Sequence, residues 1–192
     1  MEKRHRIFIA INLPAEIKKQ LAGFYDRWPE LPAKWTPRDN LHITLEFMGD
    51  LTDVEIGDVC EIVKEVSKRH KTFDINLNKV QYSPVKKNLA APKMVWVSGE
   101  KSEELAELKK ELQEYLLEKI NYRPEEGRAF TPHINLARIS EWEFKRFDLE
   151  ERPEINEDLD LFFTVESIEV MESELKRGGP QYTILESHNL GQ

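Results

Sequence analysis

The sequence predicts an α+β protein built of two similar lobes, and three observations lead there. The tetrapeptide His42-Ile43-Thr44-Leu45 returns as His133-Ile134-Asn135-Leu136, with the two histidines 91 residues apart in a chain of 192. Each copy closes a segment that reads strand, helix, strand, so the repeat is one of element order as well as of wording. A hydrophobic content of 40% is enough to build one core, or two closely joined ones, without help from a disulfide or a structural metal. Residues 1–192 are therefore taken as a single bilobal domain carrying motifs at 42–45 and 133–136.

In chain order, the first lobe opens with the alternating, β-branched run Arg6 to Leu13, a strand. Pro14 suits the first turn of a helix, read as far as Trp28. A turn-rich stretch from Pro29 to Asn40 leads to a second strand, Leu41 to Met48, which Gly49-Asp50 ends. Thr52 or Asp53 then caps a helix reaching about His70, with Val54, Ile56, Val59, Ile62, Val63 and Val66 on one apolar face. Phe73, Ile75 and Leu77 alternate as a strand.

The second lobe replays this order. Met94-Val95-Trp96-Val97 is a strand, and Ser102 caps a helix from Glu103 to Ile120 with Leu105, Leu108, Leu112, Tyr115 and Leu116 in periodic positions. A polar loop then precedes the second tetrapeptide. The acidic run from Glu150 to Asp160 reads as a solvated segment, Leu161 to Met171 as a strand, and Gln181 to Leu185 as the last strand. Ser173 to Pro180, with Gly178-Gly179-Pro180, reads as the hairpin connection between them.

Composition narrows the function classes. The net charge of −8 argues against a protein that coats duplex nucleic acid, an affinity that comes from many Lys and Arg contacts to phosphate. It leaves open a small phosphate-bearing ligand in a locally basic cleft. Cys60 stands alone, so no internal disulfide forms, and its apolar neighbours Val59, Ile62 and Val63 mark it as a buried helix residue. The lone cysteine fits a cytoplasmic setting, no apolar run nears the roughly 18 residues of a membrane helix, and the opening strand is too short for a secretory segment; a monomer is expected. Neither a G-x-S-x-G elbow, a G-x-G-x-x-G run nor a P-loop is present.

The tetrapeptides carry the chemistry. Successive side chains of a strand point to opposite faces, so Ile43 and Leu45 enter a core while His42 and Thr44 share the other face; Ile134 and Leu136 likewise oppose His133 and Asn135. If the strands face one another, the polar side chains converge and a small anion fits between two imidazoles. Unperturbed imidazole titrates near pH 6.5, so acid and base forms are both accessible. Neither motif has a second His or a carboxylate at ligand spacing, and Thr and Asn are poor transition-metal ligands, so no metal or other cofactor is expected. His5, His70 and His188 lack a repeated context and are read as surface residues.

Trp35 to Gly49, with Leu-His-Ile-Thr-Leu-Glu-Phe-Met-Gly, and Phe130 to Arg138, with Pro-His-Ile-Asn-Leu-Ala-Arg, resemble the paired H-x-T signatures of the 2H phosphoesterases. Arg6 to Pro14 resembles the opening strand of the RNA 2′,3′-cyclic phosphodiesterase branch, formerly called 2′-5′ RNA ligase, and Ser173 to Tyr182 its closing hairpin. The resemblance implies two antiparallel β-sheets lining a central cleft, with helices on the outside. It also implies metal-independent hydrolysis of a 2′,3′-cyclic phosphate, on RNA or on a small cyclic nucleotide, to a 2′-phosphate.

By that resemblance His42 is the general acid and His133 the general base, an order that the symmetry of the motifs also allows to be reversed. Thr44 and Asn135 would hydrogen-bond the nonbridging phosphate oxygens. Asn135 departs from the usual threonine: its amide donates, but it is larger and lacks the hydroxyl. Simple parity turns Arg138 away from the cleft, whereas the resemblance places it near the phosphate, which requires a bend after Leu136. Phe8, Tyr182 and Phe130 are candidates for stacking on a base. Lys176 and Arg177 are candidates for positive charge at the cleft mouth. Joining of RNA ends, and RNA-end binding without catalysis, stand as alternatives.

Overall fold

The computed structural model describes residues 3–83, 91–120, 122 and 132–191. Two antiparallel sheets form from β1 (His5–Asn12), β2 (Ala33–Trp35), β3 (His42–Leu51), β4 (Phe73–Ser83), β5 (Met94–Gly99), β6 (His133–Ile139), β7 (Asn156–Val165), β8 (Ser167–Lys176) and β9 (Gly179–Asn189). The first sheet has the order β3-β1-β8-β9 and the second β2-β6-β5-β4-β7. Helices α1 (Ala15–Ala22), α2 (Asp53–Ser67), α3 (Glu103–Ile120) and the single turn α4 (Glu141–Phe144) complete the chain. The α+β class and the pair of antiparallel sheets agree with the sequence reading.

The repeat is visible in three dimensions. β1 pairs antiparallel with β3 across α1, and β5 pairs antiparallel with β6 across α3. Alternation along β1 sends Ile7, Ile9 and Ile11 into the main core and Phe8 and Ala10 to the opposite face. That core is shared by both sheets and is closed by Leu105, Leu108, Leu112 and Leu116 of α3 and Val59, Ile62, Val63 and Val66 of α2. Each helix has its cap. Thr52 and Glu55 exchange the reciprocal bonds of a capping box, and Ser102 Oγ accepts from Leu105 N–H at 3.1 Å. Cys60 is buried among these residues, and burial pushes its thiol up to about 11, an inert state.

Three segments differ from the sequence reading. Leu161 to Met171 is two strands in different sheets, broken at Glu166, because Phe163 and Val165 pack in the second sheet while Ile168 and Val170 pack against the first. The end of the acidic run, Asn156 to Asp160, is edge strand: ladder hydrogen bonds to β4 and an ion pair between Asp158 and Lys79 at 2.7 Å outweigh its charge. The short strand β2 lies inside the turn-rich stretch, held by β6. Helix α1 also ends earlier, at Ala22, and the turns that follow carry Phe24 and Trp28 into the core.

A buried polar clamp joins the halves. Glu46 of β3 is 6% exposed and meets Lys109 Nζ at 2.5 Å, Gln113 of the same helix, and the Tyr122 hydroxyl at 3.1 Å. Lys109 also donates to the Leu45 carbonyl. Removing one partner of a buried pair strands the other charge, so Lys109→Met is expected to cost about 3–5 kcal/mol in denaturant unfolding. Lys109→Met combined with Glu46→Leu should recover part of that loss, and a single-variant cost below about 1 kcal/mol would show the pair to be solvated.

Candidate active site

β3 and β6, the two histidine strands, lie against each other where the sheets meet. On β3 the alternation places His42 and Thr44 opposite the buried Ile43 and Leu45. On β6 His133 and Asn135 oppose the buried Ile134 and Leu136. The two imidazoles are near enough that the charge of His133 acts on His42.

Both strands break their register at the last residue of the motif. The ladder of β1 with β3 skips Leu45, and that of β5 with β6 skips Leu136. An extra residue reverses the parity beyond it. Phe47 and Arg138 therefore return to the faces of Thr44 and Asn135, and both are exposed while Met48 and Ile139 are buried. The bend that Arg138 needs is this bulge.

His42 is held on every side. Nδ1 lies 2.7 Å from the Asn40 carbonyl, which only accepts, so this nitrogen carries the proton. Nε2 then faces the Thr44 hydroxyl at 2.9 Å as an acceptor in the neutral ring. Phe8 packs against the imidazole at 5.0 Å and Tyr182 meets it edge-on at 5.2 Å, with Phe8 and Tyr182 themselves 5.0 Å apart. Phe8 is only 3% exposed and sits among Ala10 and Met171, whereas Tyr182 is partly open. Burial, with smaller contributions from Lys18 and His133, lowers the His42 pKa to about 4.

Beneath His42 lies a second buried polar group that the sequence reading missed. Lys18 donates to the Asp39 carbonyl at 2.7 Å, and burial lowers the pKa of its ammonium, a shift opposed by Asp39 and Glu169. Glu169, 3% exposed, accepts from Asn12 N–H at 2.9 Å and from Ser167 and Ser187 hydroxyls at 2.5 and 3.0 Å. No local pattern marks these residues, because their partners are as much as 157 positions away.

His133 stacks on Trp96 of β5, with ring centroids 3.8 Å apart and planes 21° from parallel. Trp96 was read only as part of a strand, though its register partner is Asn135, inside the motif. Its indole N–H is buried with no partner among the described residues. Phe130 lies outside the described residues. Lys176 pairs with Glu174 at 2.9 Å, and Arg177 occupies the two-residue turn between β8 and β9, a tighter hairpin than the stretch Ser173 to Pro180 suggested. His5 and His70 are not simple surface residues: they contact Glu172 at 2.5 Å and Glu111 at 2.7 Å, with side chains 12% and 14% exposed. Among the described residues no group of three or more His, Cys, Asp or Glu forms a candidate metal site, and no helix is long and apolar enough to cross a membrane.

Two antiparallel sheets meeting at a pair of histidine strands make up an α+β fold that known proteins share. The family model described as LigT like Phosphoesterase matches residues 11–89. An RNA 2′,3′-cyclic phosphodiesterase of Aquifex aeolicus is 30% identical over 170 residues, 84% of either chain. The crystal structure of TT0787 of Thermus thermophilus superposes with a TM-score of 0.80 at 27% identity, covering 97% of this chain and 99% of that one. Escherichia coli LigT complexed with 3′-AMP shares the fold, with a TM-score of 0.77 at 24% identity over 99% of this chain and 100% of that one. The chain belongs to the LigT-like family of 2H phosphoesterases.

Proposed function

We propose that the protein is an RNA 2′,3′-cyclic phosphodiesterase that opens the ring at the 3′ oxygen by two-histidine acid–base catalysis. The observation that carries this reading is the pairing of His42 and His133, from matched strands, across the junction of the sheets. The names of the relatives support the substrate class. One histidine takes a proton from water as its oxygen attacks phosphorus. The P–O3′ bond breaks, the other histidine gives O3′ its proton, and a 2′-phosphomonoester remains. Thr44, Asn135 and Arg138 are the donors assigned to the nonbridging oxygens, whose charge grows in the transition state.

The surroundings of His42 favour the order opposite to the one the resemblance implies. A ring whose Nδ1 proton is committed to a carbonyl, and whose pKa is lowered to about 4, is neutral at pH 7, and once the Thr44 hydroxyl turns from Nε2 to the phosphate the Nε2 lone pair is free to take a proton. That is a base. His133 against the indole face of Trp96 is placed where a cation is attracted by the ring. Phe8 supports His42 from below in this reading, and Tyr182 is left as the base-stacking surface.

The reading is tested on a short RNA ending in 2′,3′-cyclic phosphate, with EDTA present and the product phosphate located. A 2′-phosphate product supports it, lengthened RNA reveals joining, and ligand binding without turnover reveals a binding module. Trp96 adds a second test. Trp96→Leu removes the stack and is expected to lower kcat by roughly ten- to a hundredfold with little change in KM, because misplacing a reacting group is costly. Trp96→Phe keeps an aromatic face and drops only the indole N–H, so it should retain most of the rate; equal losses in both variants would sink the positioning role.

A further inference from the structure

Beyond the histidines, on one side, the cleft floor becomes cationic. Past the bulge at Leu136, Arg138 rejoins the face of His133 and Asn135, and its register partner on the edge strand β2 is Lys34. Both are exposed. They line an open cavity of about 530 Å³ bounded by β2, the end of β6 and α4, with Ser140 and Glu143 also in its lining. A volume of this size accommodates a nucleotide.

The opposite wall brings further positive charge to the same end. Lys34 Nζ donates to the Gly178 carbonyl at 2.9 Å and Asn40 Nδ2 to the Pro180 carbonyl at 2.7 Å, fastening the β8–β9 turn beside β2. Gly179 permits this approach: its φ is +127°, and a Cβ there would stand 2.9 Å from Lys34 Nζ. Arg177, next in the turn, is exposed. Arg6 and Arg138 both act electrostatically on the Tyr182 hydroxyl, so they approach it from the two sheets. On a chain of net charge −8, Arg6, Lys34, Arg138 and Arg177 bring positive charge to one mouth.

We infer that this mouth is a subsite for the RNA upstream of the cyclic end: Lys34 and Arg177 hold upstream phosphates, and the cavity beside Arg138 takes an upstream nucleoside. The inference rests on the phosphodiesterase reading and names its substrate as a polynucleotide end rather than a free cyclic nucleotide. Arg138 is assigned to the reacting phosphate and the cavity runs on past it to Ser140 and Glu143, so a mononucleotide bound at the histidines would leave its far part unfilled. Glu143 disfavours phosphate inside the cavity but offers an acceptor to a ribose 2′-hydroxyl or a base amino group, which suits a nucleoside there with its phosphate on the cationic rim.

The experiment compares kcat/KM for a tetranucleotide ending in 2′,3′-cyclic phosphate with that for a 2′,3′-cyclic mononucleotide, across salt concentration, in the intact protein and in Lys34→Gln with Arg177→Gln. The tetranucleotide should be preferred by on the order of tenfold or more at low salt, with a salt slope near −0.7 for each phosphate contacted. The double variant should lose most of that preference and of that slope while its mononucleotide kinetics stay unchanged. Mononucleotide turnover with no tetranucleotide preference, or a preference untouched by the substitutions, overturns the subsite and leaves the phosphodiesterase reading standing. Failure to turn over either substrate removes that reading, and this inference with it.

Discussion

Alanine at His42 or at His133 is expected to slow opening of a 2′,3′-cyclic phosphate by about a hundred- to ten-thousandfold, the usual contribution of a positioned acid or base. Both side chains are partly exposed at the sheet junction, and the strands that carry them are anchored by Ile43, Leu45, Ile134 and Leu136, each at most 2% exposed. The variants should therefore fold, which unfolding midpoints near that of the intact protein would show. Groups that act on one transition state are not additive, so the double variant should lose little more than the worse single one. Turnover indifferent to both substitutions, or abolished by EDTA, would sink the mechanism. A product carrying the phosphate on the 3′ oxygen would mean that the other ester bond breaks.

The acid limb of kcat/KM should have a midpoint near pH 4, since this parameter reports groups of the free enzyme and burial lowers His42 to about that value. Above the limb His42 is neutral. As pH falls through 4 the ring gains its second proton and the rate should drop tenfold per unit. His42→Ala should lack this limb. The profile alone does not order acid and base, because the singly protonated enzyme has one proton on either ring and both distributions titrate alike. Leaving-group ability separates them. A phosphodiester that expels a nitrophenolate needs no general acid, so His133→Ala should be nearly as fast as the intact protein on it, while His42→Ala stays slow. The reverse pattern would restore His42 to the acid role that the family resemblance implies.

Much of this architecture is written locally. The alternation of Ile7, Ile9 and Ile11, the apolar period of α3, and the capping signals at Thr52 and Ser102 each depend on neighbours a few residues away, and each element forms where those neighbours place it. The repeated tetrapeptide is likewise local, and its parity already sets His42 beside Thr44 and His133 beside Asn135. Val54 marks the edge of such reasoning. It belongs to the apolar spacing of α2, yet it is 71% exposed, because periodicity does not say where the opposing surface ends.

What the tertiary structure decided is which strands pair and what touches the histidines. β2 joins β6 rather than its sequence neighbours, and β8 joins β1, placing Glu169 under Asn12. The bulge at Leu136 returned Arg138 to the face of Asn135, against simple alternation. Trp96 came to His133, and Lys18 to the vicinity of His42, through long-range pairing that no short window records. The sequence by itself determined the two repeated strand–helix–strand units and the identity of the repeated polar side chains, because propensity, capping and periodicity act over one or two turns or a few strand residues. The environment of those side chains, and with it the neutrality of His42, was decided only when distant strands came together and removed water from the ring.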